Sequence, residues 1–143
     1  MSTHAEKRIL PHTQEQMFDL VADIERYPEF LPWCVGVRVR RREESRTLAD
    51  MMIGYKMFRE RFTSLVTFDR PQRIDVQYFD GPFKQLNNHW IFRPQSETSC
   101  EIDFYIDFEF RSAMLQKVIG AVFNEAVRRM VSSFEKRAHT LYG

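Results

Sequence analysis

The chain has 143 residues, with 21 Lys and Arg against 20 Asp and Glu, giving a formal charge of +1. That balance excludes a dedicated DNA binder, which needs a strongly basic face. A composition of 43% hydrophobic and 29% charged residues excludes disorder. Cys34 and Cys100 are too few and too far apart for a disulfide framework or a zinc knuckle, and no run of about 18 apolar residues is present to cross a membrane. Residues 1–143 are read as one domain. The first ten residues hold no apolar signal core and no Arg/Ser-rich leader. A cytoplasmic protein of bacterial type, or a mature chain already freed of its leader, is expected. The unusual feature is 13 Phe, a large apolar area for a small domain.

Residues 3–10 read as an opening strand that stops at Pro11. Thr13 and Gln16 have the spacing of a capping box, and Met17, Leu20, Val21 and Ile24 follow at helical spacing. Pro28 and Pro32 turn 25–34 into a bent connector with a short helical turn. From Val35 to Phe110 the period changes to two. In Glu101–Phe110, Ile102, Phe104, Ile106, Phe108 and Phe110 share one face. Glu101, Asp103, Tyr105, Asp107 and Glu109 share the other, which reads as solvated. Ala49, Met51, Ile53, Tyr55 and Met57 alternate likewise, as do Phe62, Ser64, Val66 and Phe68, then Ile74, Val76 and Tyr78, then Leu86, Trp90 and Phe92. Turn signals at 69–71, 80–82 and 94–99 separate them, so six consecutive strands are expected to form an antiparallel meander. Ser112 then caps one long helix of about 29 residues, roughly 43 Å at 1.5 Å each. Its apolar stripe runs Met114, Leu115, Val118, Ile119, Val122, Phe123, Ala126, Val127, Met130, Val131, Phe134, Ala138 and Leu141.

The order predicts an α+β fold: a curved antiparallel sheet of about seven strands wrapped around a long C-terminal helix, with short helices after the first strand. A twisted sheet does not touch a straight helix along its whole length. The aromatic stripe therefore serves either an apolar pocket or a dry, filled core, and pattern alone leaves both open.

No nucleophile elbow, phosphate-cradling loop or His-Glu-x-x-His motif is present. His4, His12, His89 and His139 share no metal-ligand spacing, so no metal is expected. Asp103 and Asp107 read as a solvated sheet face paired with cross-strand cations. Cys34 has no nearby base and reads as a small buried hydrophobe. Arg38, Arg40, Arg41, Arg42 and Arg46 cluster on one strand and its turn, with Arg59 and Arg61 candidates to join them. They serve either edge protection or contact with anionic lipid heads or RNA phosphates.

Two stretches carry a family resemblance: Glu25-Arg26-Tyr27-Pro28-Glu29-Phe30-Leu31-Pro32-Trp33-Cys34, and Asp80-Gly81-Pro82-Phe83-Lys84 with Leu86, Trp90 and Phe92. With Phe108-Glu109-Phe110, Phe134-Glu135-Lys136-Arg137-Ala138 and Tyr142-Gly143, the chain resembles the coenzyme Q-binding proteins of the START-like superfamily, a group also classed with the polyketide cyclases/dehydrases. The resemblance implies a helix-grip fold and ubiquinone as bound ligand, with no catalytic cofactor. It also implies a lipid-chaperone role in respiratory electron transport rather than an enzyme activity. Bacterial members resemble ribosome-association toxins that block subunit joining, so ribosome contact is a second implied role. Contact with the cytoplasmic face of the inner membrane is a third. A departure is Asn88, where the family tends to have glycine.

For such a ligand the expected walls are Val21, Phe30, Leu31, Phe62, Val66, Tyr78, Trp90, Phe92, Phe104, Phe108, Val122 and Phe123. Tyr27, Trp33, Tyr78 and Asn88 are the expected donors to the quinone head, and 27–34 is the expected gate. A cyclase or dehydrase would instead need polar groups aimed inward, and only Ser64, Asn88 and Asp50 are candidates.

Overall fold

The computed structural model describes residues 2–143. Chain order is β1 (Ser2–Leu10), α1 (Gln14–Ala22), a 3₁₀ turn (Ile24–Glu29), β2 (Cys34–Arg42), β3 (Arg46–Tyr55), β4 (Phe58–Asp69), β5 (Arg73–Asp80), β6 (Phe83–Ser96), β7 (Ser99–Phe110), α2 (Ala113–Arg128) and α3 (Met130–Tyr142). The strands form one antiparallel sheet in the order β1-β7-β6-β5-β4-β3-β2. Strands β2 to β7 are the expected meander, and β1 closes onto β7, with Leu10 opposite Cys100.

The start signals form as read. Thr13 Oγ1 accepts from the Gln16 N–H at 3.1 Å, and Gln16 Oε1 accepts from the Thr13 N–H at 2.9 Å, completing the capping box. Ser112 Oγ accepts from the Leu115 N–H at 3.0 Å and starts α2. The inner sheet face and the helices then bury a continuous aromatic core in which Phe83, Phe92, Phe104, Phe108 and Phe134 are fully enclosed. Rings meet edge to face, the arrangement their quadrupoles favour, as in Phe108 against Phe123 at 5.1 Å between centroids.

The expectation of a single C-terminal helix is corrected: it is two. Arg129, at φ −97° and ψ 4°, interrupts it between α2 and α3. No Gly or Pro marks the break, and the apolar stripe runs across it without a change of period. The Ser133 hydroxyl donates to the Arg129 carbonyl at 3.0 Å, a back-bond that bends helices. The bend lets Phe123 of α2 and Phe134 of α3 both reach the curved sheet. Several stripe positions consequently face water, among them Met114, Val118 and Leu141.

Two further corrections concern sheet faces. Met57 does not extend the inner face of β3, because the strand ends at Tyr55 and Met57 sits in the turn, 95% exposed. Asp107 is not solvated: only 6% exposed, it accepts from Asn87 Nδ2 at 2.9 Å and the Tyr105 hydroxyl at 2.7 Å. Its neighbour Asp103 does pair across strands, with Arg93 at 3.1 Å.

Candidate functional site: an apolar cavity under the broken helix

The inner face of the sheet and the helices do not close completely. They leave a cavity of about 70 Å³. Its floor is Ala49 and Met51 of β3, Phe62, Ser64 and Val66 of β4, and Ile74 and Val76 of β5. Leu86, Asn88 and Trp90 of β6 with Phe104 and Ile106 of β7 complete it. Its roof is Ile24, Tyr27 and Trp33 from the connector, Phe123 from α2, and Met130 and Phe134 from α3. The roof residues Phe123, Met130 and Phe134 straddle Arg129, so the helix is interrupted directly over the void.

Polar groups are sparse here and mostly engaged. The Tyr27 hydroxyl donates to the Val21 carbonyl. Its burial, with Cys34 and Asp23 nearby, pushes the phenol pKa well above its usual value. Asn88 Nδ2 donates to the Tyr105 carbonyl at 2.9 Å, tying β6 to β7. Ser64 Oγ is different. It is buried, lines the cavity and has no hydrogen-bond partner, whereas buried hydroxyls are normally satisfied.

Of the expected ligand contacts, Tyr27, Trp33, Phe62, Val66, Asn88, Trp90, Phe104 and Phe123 line the void. The others stand elsewhere. Val21, Leu31, Phe92 and Phe108 are buried in packed core away from it; Phe92, for instance, packs edge-on against Phe18 at 5.7 Å. Phe30 covers the outside of Phe134 and carries the Arg137 guanidinium over its other side at 5.1 Å. Val122 is half-buried on the flank of α2. Tyr78 spends its hydroxyl on the Phe83 backbone, donating to the carbonyl at 2.9 Å and accepting from the N–H at 3.0 Å. Here that hydroxyl clasps the β5–β6 turn, and the Tyr27 hydroxyl is likewise engaged, on the Val21 carbonyl.

Sequence reasoning missed Ile24, Ala49, Met51, Ile74, Val76, Leu86, Ile106, Met130 and Phe134 as lining. The alternation that selected Val66 and Phe104 includes most of these, so the face was visible but not the depth. Asp50 does not point inward. It is held on the outer face by the Thr63 hydroxyl at 2.6 Å and Arg40 Nε at 2.7 Å. Burial raises its pKa, but these two hydrogen bonds with the Arg40 and Arg61 charges outweigh that and hold the carboxyl below its usual value. Cys34 is buried, and desolvation pushes its thiol up to about 11, which suits a packing residue rather than a nucleophile.

The arginine cluster is only partly free. Arg40 pairs with Asp50, Arg42 with Glu25 and Arg46 with Glu43. Arg38 and Arg41 are exposed and form no close ion pair among the described residues, although the Arg41 charge helps to lower the Glu43 pKa. Arg61 joins Arg38 around a shallow outer-face depression, whereas Arg59, at the start of β4, bonds the Lys56 and Phe58 carbonyls.

A seven-stranded antiparallel sheet gripping a C-terminal helical pair around an apolar void is a START-like helix-grip fold. A START superfamily protein of Mycobacterium smegmatis matches it with a TM-score of 0.79 at 17% identity, covering 97% of this chain and 98% of that one. The chain belongs to the family described as polyketide cyclase / dehydrase and lipid transport, whose model matches residues 10–135. Among its relatives is a ribosome association toxin RatA of Vibrio cholerae, 36% identical over 135 residues and covering 94% of each chain. Another is a mitochondrial coenzyme Q-binding protein COQ10 homolog B of Xenopus laevis, 32% identical over 144 residues, covering 98% of this chain and 59% of that one. Among the described residues no helix is long and apolar enough to cross a membrane.

Proposed function

We propose that this chain binds ubiquinone or a similar polyprenyl lipid in the cavity and carries it, without catalysing a reaction on it, in support of respiratory electron transport. The observation behind this reading is a largely apolar cavity between sheet and helices with one unpartnered hydroxyl, Ser64 Oγ, on its floor. A quinone carbonyl is an acceptor that satisfies such a hydroxyl, and the tail needs only apolar walls. Each buried CH₂ contributes about 0.8 kcal/mol, so one five-carbon prenyl unit contributes roughly 4 kcal/mol before ordering costs. The void at 70 Å³ is about half of what benzene needs. Ligand entry therefore requires the roof to move, and the interruption at Arg129 falls within that roof. The relative named for coenzyme Q binding supports the choice of ligand. A cyclase or dehydrase activity is disfavoured because Asp50 is turned away, leaving Ser64 and Asn88 as the inward polar pair. The proposed workplace is the cytoplasmic face of a bacterial inner membrane.

Mass spectrometry of organic extracts of the purified protein tests this reading. Co-purifying quinone that drops on Val66→Lys, with the circular dichroism spectrum retained, supports it. Equal loading of wild type and variant refutes the cavity assignment.

A second reading, ribosome association, is favoured by one observation: Arg38 and Arg41 stand exposed without a close ion pair on edge strand β2, in a chain whose relatives include one named for that association. Co-sedimentation with ribosomes that weakens with salt and is lost in Arg38→Glu/Arg41→Glu supports it. Salt-insensitive or absent sedimentation removes it.

A further inference from the structure

The sheet has two ends. One gathers the start of β2, the β3–β4 turn, the β5–β6 turn and the step from β7 into α2. Among the described residues, five of the eight exposed large apolar side chains lie there: Val35, Met57, Phe79, Met114 and Val118. Scattered exposed apolar residues are ordinary, but a gathered set marks a contact surface.

The β3–β4 turn presents Met57 deliberately. Lys56 adopts a left-handed φ of 53°, and its ammonium lies over the Tyr55 ring at 5.3 Å. Arg59 Nη1 donates to the Lys56 and Phe58 carbonyls at 2.8 and 2.7 Å, so the turn is clasped from beneath. Met57 at its tip touches almost nothing. On α2, Met114 and Val118 sit four residues apart on an exposed face with Lys117 beside them, and the first turn has no acidic residue. Lys56, Arg59 and Lys117 make no ion pair among the described residues; of the acids at this end Glu109 pairs with Lys84, and Glu60 and Asp80 are outnumbered by Lys56, Arg59, Arg61, Arg111 and Lys117. This end is thus apolar at its tips and cationic around them.

We propose that this end docks on an anionic phospholipid bilayer, with Met57, Met114 and Val118 entering the headgroup–acyl boundary and Lys56, Arg59 and Lys117 meeting lipid phosphates. The inference rests on the lipid-carrying reading above and adds the surface through which lipid is exchanged. Unbranched methionine suits a fluid boundary, and basic amphipathic faces bind interfaces in this manner. A second copy is the poorer occupant, since two such ends face to face oppose their own cations.

Flotation with phosphatidylcholine vesicles, with and without phosphatidylglycerol, tests the proposal. Wild type should float with anionic vesicles and be released by salt. Each cation near an anionic leaflet is worth roughly fivefold in partitioning, so Lys56→Glu/Lys117→Glu should lower binding by well over tenfold. Met57→Asp should lower it about tenfold by the cost of placing a charge in the boundary. Ile9→Asp, at an exposed apolar site at the opposite end, should bind as wild type. All four variant positions lie outside the cavity, so the lipid taken up from detergent solution, without a membrane, should be unchanged. Loss of that lipid in wild type would sink the carrier reading while leaving the flotation result readable. Wild type that ignores anionic vesicles, or Met57→Asp that floats like wild type, overturns the docking proposal. So does self-association abolished by Met57→Asp without vesicle binding, which gives this end to a second copy.

Discussion

Replacing Ser64 by alanine should stabilise the lipid-free protein and weaken its hold on lipid, a pair of opposite effects from one oxygen atom. Ser64 Oγ is buried against apolar walls with no partner. Burying a hydroxyl unsatisfied costs about 1–3 kcal/mol. Alanine keeps the Cβ that packs beside Ala49 on the neighbouring strand and removes only an atom that already borders the void, so little new cavity is made. A net gain of about 1–2 kcal/mol is expected, which for a chain of this size raises Tm by roughly 3–4 °C per kcal/mol. In the loaded protein the same hydroxyl should donate to the ligand, and its loss should weaken binding by about 1 kcal/mol, near fivefold. Calorimetry on delipidated wild type and Ser64→Ala reads the first effect, and competitive lipid loading reads the second. A Tm that falls, or stays level while loading is unaffected, would show that the hydroxyl is satisfied without ligand, and the head-group argument would be refuted.

Ala49→Leu should fill the void from the β3 side, reducing co-purified lipid while changing stability by less than about 1–3 kcal/mol of overpacking; undiminished lipid would put the ligand elsewhere. Gly81→Ala should cost at least about 2 kcal/mol by chemical denaturation, because Gly81 has a φ of 146° and an added Cβ would stand 2.7 Å from Phe62 Cβ. A neutral result would contradict the close approach of the β5–β6 turn to β4. Asp50→Asn should destabilise the protein at pH 7 by roughly 1.5–3 kcal/mol, the worth of hydrogen bonds to a charged group. The sign with pH follows from a folded-state pKa held below the ordinary 3.8. The contribution is fully present above that value and is lost as pH falls beneath it. Wild type and variant should therefore converge in acid, and parallel pH profiles would exclude the Asp50–Arg40–Thr63 cluster as a source of stability.

The sheet was legible in the sequence because its inner face alternates without interruption, as in Ile102 to Phe110, and because Thr13, Gln16 and Ser112 are capping residues at the right offsets. The helix break was not, since Arg129 is an ordinary helix residue and Met130 and Phe134 continue the stripe past it. In the site, period two identifies a face but not whether a side chain ends in a void or in a neighbour. Phe62 and Phe108 therefore look alike in sequence, though one borders the cavity and the other is packed solid. Two of the expected donors differ for another reason: the Tyr27 and Tyr78 hydroxyls are engaged by backbone groups made adjacent only by the fold. Ser64 was visible as an inward polar residue, but that it has no partner is a property of everything around it.

The pairing of β1 with β7 bears on how the chain reaches this shape. Strands β3 to β7 each join their predecessor by a short turn, so most of the sheet forms from contacts near in sequence. Ser2 opposite Phe108 and Leu10 opposite Cys100 are the exception. During synthesis β1 emerges well before its partner β7, with β2 to β6 between them, so this strand waits unpaired until the meander is complete. Such non-local closure slows folding, and a waiting strand is open to pairing with another chain. Its alternation of Glu6, Arg8 and small polar residues with only Ile9 and Leu10 strongly apolar leaves it little adhesive surface during that interval.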